Sequence, residues 1–361
     1  MTSDLKHLTI SIEIMKIIKS NVKKSILGGL IILLLISIGF FSFIQNKEKA
    51  TEEEIKAAVK EAYDKFKTLK GGKNADYIPY LAKVDSTFYG IVIVTADGKV
   101  YPIGETKYEF GIESISKVFT LAQALQEKGG KVVMDSVGVN ATGLPFNSVQ
   151  AIEIQGQQPQ NPLVNAGAIA TVSLLDPKNN QEAKWNKVQK NFNRFAGREI
   201  KVIDELYKSE AATDQHNEGI ALLLQSYNKL YDKPAIAIDV YTKQCSFGVN
   251  AKDLAVMAAT LANNGVNPLT KEKVVDPKHI PQILAVMSTA GLYETTGEWM
   301  FKVGLPSKSG VGGGIISVVP GQMGIAVFAP PLDKAGNSVK AQKTIEFLAD
   351  KLKLNVFSAQ N

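Results

Sequence analysis

Two apolar stretches, far apart in the chain, constrain its fold more than anything between them. Phe88-Tyr-Gly-Ile-Val-Ile-Val94 leads through Ala96-Asp-Gly98 into Lys99-Val-Tyr101, the pattern of a strand, a tight turn and a returning strand. Ile315-Ile-Ser-Val-Val319, Pro320-Gly321 and Met323-Gly-Ile-Ala-Val-Phe328 repeat that pattern near the other end. From about 113 to 300 the apolar residues recur mostly at helical spacing. Gly336-Asn-Ser338 then opens a last helix running through Leu352. The order predicts an α+β chain in which both ends of the region build one antiparallel sheet and a helical lobe is inserted between them.

The boundary between sheet and lobe carries the chemistry. Gly111-Ile-Glu-Ser-Ile-Ser-Lys-Val-Phe119 contains Ser-x-x-Lys at the start of an expected amphipathic helix, with Ile115, Val118, Phe119, Ala122 and Leu125 as its buried stripe and Gly129-Gly130 as its end. Residues three apart share a helix face, so the Lys117 amine can reach the Ser114 hydroxyl. Burial drives an ammonium toward its neutral form, and a neutral lysine can take the serine's proton. In many helices Ser-x-x-Lys is only a solvated surface pair. The second element is Lys308-Ser-Gly-Val-Gly-Gly-Gly314, a glycine-rich entry to the strand at 315–319. Lys-Ser/Thr-Gly beside a Ser-x-x-Lys helix is the arrangement of penicillin-recognising serine enzymes. Its glycines let backbone approach a substrate, and a backbone N–H there can hold an oxyanion.

Other chemistries find little support. His7, His216 and His279 lack metal-ligand spacing, and no Gly-rich phosphate loop follows a strand, so no metal and no cofactor is expected. Cys245 is the only cysteine; it reads as a small buried thiol and excludes an internal disulfide. The formal net charge is +6, of which residues 1–49 carry +4, and the rest has no basic run. Nucleic-acid binding is therefore not expected.

The N-terminus reads separately. Ile26 to Ile44 is an uncharged apolar run of 19 residues, long enough as a helix to span ~28 Å of bilayer core. Lys16, Lys19, Lys23 and Lys24 precede it. This predicts a single-pass anchor in the inner (cytoplasmic) membrane, with the N-terminus in the cytoplasm and the rest outside. A cleaved signal and an exported chain is the alternative, and Met15-Lys-Ile-Ile-Lys19 reads as an alternative start. Thr51-Glu-Glu-Glu54 is a capping-box pattern, and Ile55, Val59, Ala62, Phe66 and Leu69 form a helical stripe reaching Gly71-Gly72. That stripe suits packing on the main domain or self-association.

From Gly72 to Leu354 the chain resembles the serine-dependent glutaminases of the β-lactamase-like superfamily. The matching segments are Ala75-Asp-Tyr-Ile-Pro79, Ser114-Ile-Ser-Lys117, Asn161-Pro-Leu-Val-Asn-Ala-Gly-Ala-Ile169, Ser209-Glu210 with His216-Asn217, and Tyr241-Thr-Lys-Gln-Cys-Ser246. They continue through Leu261-Ala-Asn-Asn-Gly-Val-Asn-Pro268, Gly291-Leu-Tyr293, Lys308 to Gly314, and Gly336-Asn-Ser338. The resemblance implies a β-lactamase/penicillin-binding-protein-like fold and hydrolysis of L-glutamine to L-glutamate and ammonia. Ser114 would attack the side-chain amide to give a γ-glutamyl ester, with Lys117 as base and Tyr241 relaying a proton to the leaving nitrogen. The backbone N–H groups of Ser114 and Val311 would hold the oxyanion. Glu210 would face the α-ammonium, and Asn165, Asn217, Tyr77 and Tyr293 the carboxylate and amide ends. Family members commonly form dimers or tetramers, so a homo-oligomer is expected.

The implied organisation is a tail and anchor at 1–49, an amphipathic helix at 50–71 and a catalytic domain at 72–361. One departure matters. The family usually places glutamine before the serine, whereas this chain has Glu113, a carboxyl expected to alter substrate affinity or to raise the pKa of Lys117 and shift the pH optimum. A D-alanyl-peptidase or β-lactamase, or a glutamine sensor without turnover, are the alternative readings.

Overall fold

The structure is a computed structural model that describes residues 49–154 and 156–358. The anchor expected at 26–44 lies outside the described residues, and among those described no helix is long and apolar enough to cross a membrane. Residues Ala50–Ser358 form one unit.

Seven strands are present among the described residues: β1 (Gly90–Thr95), β2 (Val100–Gly104), β3 (Phe110–Gly111), β4 (Gly248–Val249), β5 (Ser307–Ser309), β6 (Gly314–Val319) and β7 (Met323–Phe328). Five make one antiparallel sheet in the order β2-β1-β7-β6-β5. Both expected hairpins are there. In the first, the Gly98 N–H closes the turn on the Thr95 carbonyl at 2.9 Å, with Gly98 at φ +100°, a value glycine adopts without a Cβ penalty. The hairpins join through β1 and β7, in register from Gly90 opposite Phe328 to Thr95 opposite Met323. Strands from opposite ends of the region therefore meet in the middle of the sheet. β3 and β4 pair separately.

The principal helices are α1 (Glu52–Phe66), α2 (Ser116–Lys128), α3 (Asn165–Leu174), α4 (Gln181–Ala196), α5 (Asp204–Ala211), α6 (Gln215–Ser226), α7 (Pro234–Cys245), α8 (Ala251–Ala262), α9 (Ile280–Ala290) and α10 (Val339–Lys351). Successive strand side chains point to opposite faces. On one face Ile91, Ile93, Ile325 and Val327 pack with Ile55 and Val59 of α1 and Ile345 and Leu348 of α10. On the other, Val92, Val94, Ala326 and Phe328 pack with Leu254, Ala255 and Ala258 of α8. Helices on both faces explain why the strands read as continuous apolar runs rather than alternating ones.

Two helices differ from expectation. The α1 capping box forms, with Thr51 and Glu54 bonded reciprocally, but the helix ends at Phe66 rather than reaching Gly71. Phe66 meets Phe347 edge-on and Leu69 is exposed, so no apolar contact sustains another turn. α2 is not amphipathic over its first turns: every residue from Ser116 to Leu125 is buried, because α3, α4 and α9 surround it.

α8 crosses the sheet at Gly324, where a Cβ would stand 2.2 Å from the Ala259 nitrogen and 2.6 Å from the Ala255 carbonyl oxygen. Backbone cannot give way there as a side-chain tip can. Gly324→Ala is expected to cost roughly 1–3 kcal/mol, read as a lowered midpoint in urea unfolding. An unchanged midpoint would mean that the helix and sheet are not held this closely.

Candidate active site

The lobe begins where β3 ends. The Ile112 N–H bonds the Phe247 carbonyl at 2.9 Å, and residues Glu113–Ile115 then form a 3₁₀ turn that leads into α2. Ser114 therefore stands in this leading turn, not in the α-helix itself as its spacing suggested. The turn packs against β5, β6 and α7, at the seam between sheet and lobe. Glu113 adopts φ +51°, in the left-handed region that non-glycine residues rarely occupy.

Lys117 is 1% exposed. Its Nζ donates to Asn165 Oδ1 at 2.7 Å, and Asn165 Nδ2 donates to Asn217 Oδ1 at 2.9 Å. The Asn217 amide in turn donates to Asp214, whose other oxygen accepts from Thr242 Oγ1 at 2.6 Å. A line of side chains thus runs from α2 through α3 and α6 to α7, and it fixes the amine. The Lys117 Nζ also lies 5.7 Å from the centre of the Tyr241 ring and 5.9 Å from that of Phe146. Burial lowers the Lys117 pKa to about 8, against raising contributions from Cys245, Glu113 and Glu210. Glu113 pushes in the direction its sequence position suggested, but desolvation is larger and the net movement is downward. An amine with this pKa is partly neutral near physiological pH and can act as a base.

Across from Lys117, the Tyr293 hydroxyl lies beside Ser114 and donates to the Ser309 carbonyl at 3.3 Å. Its ring centre lies 4.7 Å from that of Phe146. Lys308, fully buried on β5, donates to the same Ser309 carbonyl at 2.7 Å and sits 4.1 Å from the centre of the Tyr293 ring. Burial, with the nearby Lys117 charge, holds Lys308 well below the ordinary lysine range. This lysine thus props Tyr293 and the strand that leads to the glycines.

The glycine loop lies directly on the nucleophile's turn. A Cβ at Gly312 would stand 2.4 Å from the Gly111 carbonyl oxygen, and one at Gly310 would stand 2.8 Å from that of Ile112. The loop closes through Gly310 N–H to Gly314 and Gly313 N–H to Gly310, and the Val311 amide takes part in neither bond. Glu210, on α5, is half-buried and accepts from Ser246 Oγ at 3.1 Å. Tyr77 is 56% exposed and stands at the rim, near enough to Tyr293, Glu113 and Glu210 to feel their charge.

Contacts thus link Ser114, Lys117, Asn165, Asn217, Tyr241 and Tyr293, with Val311 and Glu210 adjoining and Tyr77 outermost. Sequence reading missed Phe146 and Asp214. Asp214 looks like an ordinary residue ahead of α6, and nothing in the spacing ties Phe146 to Lys117.

The glutaminase family model matches residues 72–357. The glutaminase of Colwellia psychrerythraea (strain 34H) is 54% identical over 303 residues, which is 84% of this chain and 97% of that protein. The glutaminase of Bacteroides thetaiotaomicron is 51% identical over 311 residues, covering 86% of this chain and 97% of the other. Among solved structures, the probable glutaminase ybaS superposes with a TM-score of 0.85 at 49% identity, over 86% of this chain and 100% of the other. Mglu in its glutamate form superposes at 0.80 with 32% identity, over 86% of this chain and 72% of the other. The chain has the β-lactamase-like fold, an antiparallel sheet closed by both ends of the region around a helical lobe. Within that class, it belongs to the glutaminase family.

Proposed function

We propose that this chain hydrolyses the side-chain amide of L-glutamine, giving L-glutamate and ammonia through an ester on Ser114. The observation that carries the reading is the buried Lys117 amine, held by Asn165 at 2.7 Å within one turn of Ser114 and lowered to about 8. Neutral Lys117 takes the proton as Ser114 Oγ bonds to the amide carbon, and the N–H groups of Ser114 and Val311 receive the oxyanion. Tyr241 passes a proton to the nitrogen as the C–N bond breaks and ammonia leaves. Water then attacks the ester, releasing glutamate and restoring the hydroxyl. Glu210 binds the α-ammonium, while Asn165, Asn217, Tyr77 and Tyr293 orient the carboxylate and amide ends. The glutamate form of Mglu, a similar chain, agrees with a site shaped for this product.

The test is ammonia release from L-glutamine by the purified chain, run beside a fluorescent penicillin. Ammonia without penicillin labelling supports the reading. Covalent labelling without glutamine turnover overturns it in favour of a penicillin-type acyl-enzyme, and glutamine binding without release overturns it in favour of a sensor.

The apolar run at 26–44 and its leading lysines support a single-pass anchor that holds this activity outside the cytoplasm. The expected result is a chain that stays with membranes through an alkaline carbonate wash and is released when residues 1–49 are deleted. Self-association as a dimer or tetramer follows from the family resemblance and is read by light scattering.

A further inference from the structure

Glu113 has no part in the reaction as described, yet its setting is unusual for a carboxyl. It is 3% exposed and lies across glycines, so that a Cβ at Gly310 or Gly312 would stand 3.3 or 3.2 Å from its Cβ or Cγ. Its Oε1 is fully covered, and no group among the described residues donates to it. What it meets within hydrogen-bonding reach is the carboxyl of Glu210. Two carboxylates are acceptors only, so such a contact needs a proton between them. A covered oxygen left unpaired costs free energy, and a shared proton removes that cost.

The titratable neighbours do not supply another partner. Lys117 of α2 gives its Nζ to Asn165, Lys308 of β5 to Ser309, and Tyr293 its hydroxyl hydrogen to Ser309. Asp214, ahead of α6, is bonded to Asn217 and Thr242. Cys245 of α7 is a buried thiol beside Ser116, and Tyr77 stands at the rim.

We propose that Glu113 and Glu210 share one proton in the substrate-free enzyme, and that the α-ammonium of the amino-acid substrate takes that proton's place. Binding is then a cation exchange: the ammonium enters between two carboxyls, one proton leaves to solvent, and the local charge is conserved. Glu113 becomes a specificity residue that demands a free α-ammonium, because a substrate without one cannot replace the proton. The inference rests on the reading that Glu210 faces the α-ammonium. Burial pushes the ionisation of both carboxyls up, and the charge of Glu113 adds to the effect at Glu210, so the proton is held where the enzyme would work. Wherever the pair holds that proton, it competes with substrate. Affinity should therefore weaken as pH falls, at most about tenfold per pH unit for one linked proton.

The experiment is calorimetry of L-glutamine binding to the full chain carrying Ser114→Ala, from pH 6 to 8, in two buffers of different ionisation heat. The expected result is close to one proton released per glutamine bound, with affinity weakening several-fold per unit of acidification. Adding the isosteric Glu113→Gln should remove more than half of that release and flatten the pH dependence. Lys117 is common to both proteins, so the difference belongs to the pair. Equal proton release from both, or none from Ser114→Ala alone, overturns the exchange. Ammonia production by the unmutated chain, measured in parallel, separates the two failures. With turnover intact, only the exchange is lost; with neither turnover nor glutamine binding, the functional reading falls with it.

Discussion

Replacing Ser114 by alanine is expected to lower kcat for L-glutamine by at least about four orders of magnitude. Without its Oγ no ester can form, and the two remaining aids, the Lys117 base and the backbone N–H groups, have no nucleophile to serve. The change should leave the fold in place. Ser114 is a small residue in a short turn, and the Tyr293 hydroxyl beside it keeps its bond to Ser309. Stability should therefore move by no more than about 1 kcal/mol. The check is a coupled ammonia assay together with urea unfolding of both proteins. A folded variant that keeps a few per cent of the activity would show that another group attacks the amide.

The second large effect concerns Lys117. In its protonated form it cannot accept the serine's proton, so the rate should rise with pH through about 8, where the buried amine loses its charge. Well below that value the neutral fraction grows about tenfold per pH unit. At saturating glutamine the binding exchange no longer contributes, so the limb seen in kcat belongs to the base. Lys117→Met keeps the volume of the buried chain and removes the amine. It should cost about 10²–10⁴ in kcat and erase the rising limb. A methionine variant that is slow but keeps the same limb would take the base role away from Lys117.

What the sequence made legible was local. Ser114 and Lys117 sit one turn apart, the strands at 315–319 and 323–328 flank Pro320-Gly321, and the Thr51 cap lies beside its Glu54 partner; spacing alone brings each of these together. What it hid depends on residues distant in the chain. The line from Lys117 through Asn165 and Asn217 to Asp214 is assembled by α3 packing on α2 and α6 packing on α3. Asn165 stands in a Gly/Ala run, and nothing in its spacing ties it to Lys117. The run is indeed close-packed, since a Cβ at Gly167 would stand 1.7 Å from the Asn161 carbonyl oxygen, and that fit holds the start of α3 where the Asn165 side chain meets Lys117. The charge beside the nucleophile was visible at Glu113, but its carboxyl partner was not. Only the fold brings Glu210 to it, and only the left-handed turn at Glu113 points that side chain across the glycines.

The join between β1 and β7 has a consequence for how the chain comes to be folded. β1 and β2 are synthesised early, but the neighbour on β1's inner side is residues 323–328, almost the last to be made. A lone two-stranded hairpin is marginal in water, so the early strands wait unpaired while the helical lobe is translated. Closing the sheet then spans more than two hundred residues, a contact order that favours slow folding. A chain cut short before Met323 would hold no smaller version of this sheet. It would carry an exposed β1 edge, with Ile91 and Ile93 stripped of Ile325, Val327 and α10, and the hazard of that edge is pairing with another copy.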